Sequence, residues 1–110
     1  MEKFYNKLVR DNIPKIIEED GEIPIYKTLD NNAYWESLIK KDFEELEEVK
    51  NAKTSEEVKK ELADKLEVIM AMAEFQGFIL QDIINESDKK RNRNGGFQKR
   101  LFLEKTITKE

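Results

Sequence analysis

Four carboxylates dominate the chemistry available to this sequence: Glu45-x-x-Glu48 and, after a gap of twelve residues, Glu61-x-x-Asp64. Residues three apart share a helix face, so each pair can offer oxygens in one direction. Two antiparallel helices joined by a short loop would bring the pairs together. With no histidine and no cysteine in the chain, such a donor set suits Mg²⁺ or Mn²⁺. Mg²⁺ keeps water positions open to phosphate oxygens, so the expected substrate carries phosphate. The same two absences exclude zinc fingers, disulfides, a cysteine nucleophile and a histidine general base.

The elements that must position these acids are legible as helices. Asp11-Asn12-Ile13-Pro14 opens a short helix, with proline tolerated in the first turn, and Gly21 stops it. Asn31 or Asn32 is expected to cap a long helix reaching about Asn51. Thr54 with Glu57 forms a capping box for the next helix, which Gly77 ends or kinks. A further helix is expected from about Phe78 to Arg91. Short strands are expected at 23–29, where Pro24 marks an edge, and at 97–103, and the two could pair.

On the first long helix, Trp35, Leu38, Ile39, Phe43, Leu46 and Val49 form one apolar face, with Glu45 on its edge. On the second, Val58, Leu62, Leu66, Ile69 and Ala73 read as the main core stripe. Another stripe runs Glu61, Asp64, Val68, Ala71, Met72 and Phe75 at the same three-four spacing. Its apolar half predicts burial, and buried acids are costly without compensation. A divalent cation would supply it. Glu44, Glu47, Glu56, Glu57 and Glu67 read as solvated surface.

Composition limits the rest. At 110 residues the chain reads as a single domain, 1–110. The net charge of -4 argues against a nucleic-acid binder, whose footprint is a basic excess. Charged residues outnumber hydrophobic ones, 40% to 38%, so core material is scarce and burial between subunits is expected. No apolar run reaches the ~20 residues of a membrane span, and no signal-peptide pattern opens the chain. A cytoplasmic location and no membrane partner are the expectations.

The run Lys41-Asp42-Phe43-Glu44-Glu45-Leu46-Glu47-Glu48-Val49, followed by Glu61-Leu62-Ala63-Asp64, resembles the MazG-like nucleotide pyrophosphohydrolases. The opening Asn6-Lys7-Leu8-Val9-Arg10-Asp11-Asn12-Ile13-Pro14 and the ending Asn94-Gly95-Gly96-Phe97-Gln98-Lys99-Arg100-Leu101 resemble one branch of that family, the phosphoribosyl-ATP pyrophosphohydrolase-like proteins. The resemblance implies an all-α helical bundle of the nucleoside triphosphate pyrophosphatase type, assembled as a homodimer or homotetramer. It also implies Mg²⁺-dependent cleavage between the α- and β-phosphates of a nucleotide, with house-cleaning of the nucleotide pool as the role. By the motif, Glu45, Glu48, Glu61 and Asp64 would be the catalytic metal ligands.

Lys7, Arg10, Lys41 and Arg93 are the candidates for substrate phosphate, Arg10 foremost because a guanidinium binds phosphate in bidentate fashion. Tyr34, Trp35, Phe75 and Phe78 are core or interface aromatics by type, with base stacking the less favoured role. Two residues depart from the branch pattern. Asp42 stands where leucine is usual, inside an apolar arc, as an added ligand or at an oligomer seam. Asn94 replaces a basic residue before the glycines, with Arg93 adjacent. The rival to an enzyme is a non-catalytic helical module that oligomerises or binds nucleotide without turnover.

Overall fold

The computed structural model describes residues 1–109. Their fold is all-α, with four helices: α1 (Ile13–Glu19), α2 (Asn31–Asn51), α3 (Ser55–Phe75) and α4 (Leu80–Asn94). The chain divides into two compact units, Met1–Leu80 with α1 to α3, and a second that begins at Gln81 within α4.

Side-chain caps set both ends of the turn region. Asp30, rather than Asn31 or Asn32, caps α2, its carboxylate accepting from the Ala33 N–H at 2.8 Å. Aspartate at this position also complements the positive end of the helix dipole. Thr54 caps α3 by accepting from the Glu57 N–H at 3.1 Å. Glu57 reaches back one residue further than a standard box, to the Lys53 N–H at 2.7 Å. These bonds leave only Ala52–Thr54 between two 21-residue helices, so α2 and α3 must double back on each other.

Their register is antiparallel. Asp42 meets Lys65 near the middle, and Tyr34 and Trp35 meet Phe75 at the far end. Trp35 stacks on Phe75 with ring centroids 5.5 Å apart, and Tyr34 approaches the same ring edge-on at 5.6 Å. These three aromatics thus close one end of the hairpin.

The buried apolar residues are Leu38, Val68 and Ala73. On α3 the two stripes exchange the roles expected from sequence over most of their length, although Ala73 of the expected core stripe is buried. The stripe with Val68, Ala71, Met72 and Phe75 packs inward, whereas Leu62, Leu66 and Ile69 of the other stripe are exposed. Periodicity shows that both stripes are apolar; the facing helix decides which is covered.

Neither expected strand forms among the described residues. Residues 23–29 run as an extended connection from α1 to α2, with Ile23, Ile25 and Tyr26 exposed. Pro24 cannot donate a ladder bond, and no neighbouring strand offers one. Residues 97–103 are interrupted at once by a turn, in which the Arg100 N–H donates to the Phe97 carbonyl at 3.0 Å. Arg100 also has a positive φ of 57°, incompatible with an extended run.

Gly77 ends α3 rather than kinking it. The Phe78 N–H returns to the Ala73 carbonyl at 2.9 Å and the Gly77 N–H to Glu74 at 3.0 Å, the paired bonds of a Schellman cap. That cap needs the left-handed φ of 87° at Gly77, which costs an L-residue about 1–2 kcal/mol. Gly77→Ala should therefore lower stability by about that amount, read as an earlier urea midpoint in the fluorescence of Trp35, the single tryptophan. An unchanged midpoint would contradict this account of the cap.

Candidate metal centre

Antiparallel pairing brings the acidic motifs of α2 and α3 opposite one another. Carboxylate oxygens of Glu45, Glu61 and Asp64 lie within 4.8 Å of one another. Among the described residues Glu45 is the only charged one that is buried, at 8% exposure, while Glu61 and Asp64 are half-buried. Glu48 is exposed and lies outside that group of three. It is close enough to act electrostatically on Glu61.

The Glu61 carboxyl is pushed above the ordinary carboxylate range, first by desolvation, then by the charges of Asp64, Glu48 and Glu45. A side-chain hydrogen bond with Glu45 acts in the same direction. In that bond the protonated form of Glu61 is the donor, which is why the bond raises the pKa.

Two basic side chains border the acids. Arg10 Nη2 donates to Asp64 Oδ1 at 2.8 Å, and Nη1 lies 3.9 Å from Glu67 Oε1. Lys41 Nζ lies 3.5 Å from Glu45 Oε1 and 3.4 Å from Glu44 Oε2. Arg10 arrives from the segment before α1, held there as the Arg10 carbonyl accepts the Ile13 N–H at 3.1 Å. The arginine singled out for phosphate thus sits against one of the proposed ligands. Lys41 reaches its partners within one helix, at three- and four-residue spacing.

The remaining candidates fall elsewhere. Lys7 Nζ is 5.6 Å from the centre of the Tyr5 ring, a cation–π distance. Arg93 lies in the last turn of α4, in the second unit. Asp42 joins Lys65 at 2.7 Å, so this acid inside an apolar arc makes a cross-helix ion pair.

Glu67, read from sequence as solvated surface, is exposed, with Arg10 3.9 Å away. Sequence reasoning passed over Lys65, which carried no local signal, since its partner is 23 residues away. Of the four aromatics read as core or interface, Tyr34, Trp35 and Phe75 pack on one another, whereas Phe78 is exposed.

The donor set suits a hard divalent cation. An Mg²⁺ ion with bonds of about 2.0–2.1 Å holds its oxygens at most about 4.2 Å apart, so small side-chain rotations would bring the three carboxylates into range. The Arg10–Asp64 pair is half-exposed, and such pairs are worth about 1 kcal/mol or less. It can be exchanged for a stronger interaction at little cost.

No protein-family model matches the chain, and no solved structure matches it. A stretch of 48 residues is 42% identical to an uncharacterized protein of Mycolicibacterium smegmatis, covering 44% of this chain and 49% of that protein. The match spans about half of each.

A carboxyl whose pKa is raised by folding favours the fold when protonated. Its contribution is present below the unfolded value and is lost as pH rises through the folded one. Without divalent metal, Glu61→Gln should therefore melt higher than the parent at pH 7. The gap should narrow as pH falls through and below the ordinary glutamate range near ~4.3. Melting curves of both proteins in EDTA across pH test this; a variant less stable at pH 7 would contradict it.

Proposed function

We propose that the chain is a divalent-metal-dependent nucleotide pyrophosphohydrolase. It would cleave the bond between the α-phosphorus and the α–β bridging oxygen, giving a nucleoside monophosphate and pyrophosphate. The observation that carries this reading is the convergence of Glu45, Glu61 and Asp64 from facing helices. The resemblance of the acidic runs 41–49 and 61–64 to MazG-like enzymes supplies the reaction class.

In this mechanism Glu45 holds from α2, and Glu61 and Asp64 hold from α3. Bound among them, Mg²⁺ would neutralise phosphate charge and make an attacking water more acidic. Arg10, released from Asp64, offers parallel N–H donors to phosphate oxygens. Lys41 adds positive charge beside Glu45. Glu48, outside the tight group, is assigned to take the proton from the water. Positive charge near the bridging oxygen stabilises the departing pyrophosphate. Arg93 and Lys7 are assigned no step.

The reading extends to a cytoplasmic role in clearing non-standard nucleotides, with ordinary dNTPs and phosphoribosyl-ATP as the other substrates that present the same triphosphate. No helix among the described residues is long and apolar enough to cross a membrane.

A second reading draws on the ion pairs. Asp64 and Glu45 already have basic partners in Arg10 and Lys41, so the cluster can be partly neutralised from within. That would suit a non-catalytic helical module. One assay separates the two: pyrophosphate and phosphate release from NTPs, dNTPs and phosphoribosyl-ATP, with Mg²⁺ or EDTA. The enzyme reading expects pyrophosphate with Mg²⁺ alone, falling at least ~100-fold in Glu61→Gln. Turnover unaffected by EDTA, or an equally active variant, would contradict the site; silence across the panel with folded protein would favour the module.

A further inference from the structure

The segment ahead of α2 is lightly attached to the α2–α3 hairpin. α1 has no buried residue, and among the described helices only α2 and α3 pack on each other. Leu8, Ile13 and Ile17 are no more than half-buried. The polar anchor of this segment is Arg10, whose Nη2 donates to Asp64 Oδ1 at 2.8 Å while Nη1 lies 3.9 Å from Glu67 Oε1. Both partners belong to α3, and one of them is a proposed metal ligand.

We infer that Arg10 makes the site select a divalent cation that arrives with phosphate over the same cation alone. The inference rests on the metal reading proposed above and adds its selectivity. Asp64 is at once a candidate ligand and the partner of Arg10, so guanidinium and cation compete for one carboxylate. Both are positive, and at such short range in a half-buried setting they repel each other. A bare cation must displace Arg10 and leave it beside the site without a partner. A cation that carries a phosphate chain brings new acceptors, because phosphate oxygens take the parallel N–H donors that Asp64 gives up.

The same exchange acts on the chain. Arg10 joins directly to α1, its carbonyl accepting the Ile13 N–H at 3.1 Å, and α1 packs on no other helix. Loss of the Asp64 contact therefore unties residues 6–12 from α3, and phosphate ties them again. Lys41 differs in this respect. It is held by Glu44 and Glu45 within its own helix, so its displacement frees no other segment. Cation and phosphate are coupled through Arg10, and by linkage each strengthens the other's binding by the same factor.

The test uses the full chain, with Mn²⁺ alone and with inorganic tripolyphosphate, the part common to every candidate substrate. Arg10→Gln should bind Mn²⁺ alone roughly two- to five-fold more tightly, since a half-exposed ion pair no longer competes. The same variant should bind tripolyphosphate in the presence of Mn²⁺ at least ~10-fold more weakly, having lost charge-assisted bonds to phosphate. Opposite signs in one variant are the signature, because a merely structural role would weaken both. A second measurement needs no variant: in the parent, amide hydrogen exchange over residues 6–12 should quicken with Mg²⁺ and slow again when tripolyphosphate is added. Equal Mn²⁺ binding by parent and variant would overturn the selectivity and leave the metal site standing. Mn²⁺ bound by neither would remove the site, and the inference with it. A variant weaker for both probes, tripolyphosphate binding that does not distinguish variant from parent, or exchange indifferent to Mg²⁺ would each overturn it.

Discussion

Carboxylates that approach within a few ångströms in a half-buried setting repel one another, and the hairpin has to carry that repulsion. Glu45 is buried where α2 meets α3, with Glu61 and Asp64 beside it. Removing any of these charges from water costs free energy unless a counter-charge is supplied. The chain supplies it in part, with Arg10 on Asp64 and Lys41 on Glu45, and the Glu61 carboxyl stays raised above its ordinary range. Both ion pairs are exchangeable. A divalent cation would neutralise more charge from a single point, and this imbalance links the fold to the chemistry proposed for it.

The remainder of the first unit arranges the conditions for that encounter. The three-residue turn between Asn51 and Ser55, fixed by Thr54 and Glu57, leaves the helices no direction but back along each other. The Trp35–Phe75 stack closes the far end, and the Asp42–Lys65 pair sets the middle. With the register held at those points, Glu45 must fall opposite Glu61. Arg10 reaches the same place because the chain turns into α1 directly after it. The packed core is small, and Phe43, Leu62 and Leu66 remain exposed on the hairpin.

Much of this was legible in the residues. Caps and glycines located the ends of the long helices to within a few residues, and the three-residue acid spacing identified the face on which a site would form. Glu45 meets Glu61 and Asp64 because local signals dictated an antiparallel hairpin. What was not legible depended on pairing. Residues 23–29 alternate as a strand would, but alternation describes one edge and cannot provide the second strand. Likewise, both stripes of α3 are apolar, and only the position of α2 decides that Val68 is inside and Leu62 outside. Asp42 looked anomalous until Lys65, 23 residues away, met it across the hairpin. Arg10 was identified from its block of residues; its partner Asp64 was a matter of tertiary structure.

The central claim is that Glu45, Glu61 and Asp64 act together as one divalent-cation site. Electron paramagnetic resonance of Mn²⁺ titrated into the full chain tests it most directly, because bound and free ion give distinct signals without any substrate. The account predicts saturable binding, competed by Mg²⁺ and weakened at least ~10-fold in Glu45→Gln, as expected when a charged ligand is lost. Mn²⁺ that remains free at millimolar concentration, or that binds the variant as well as the parent, would contradict it.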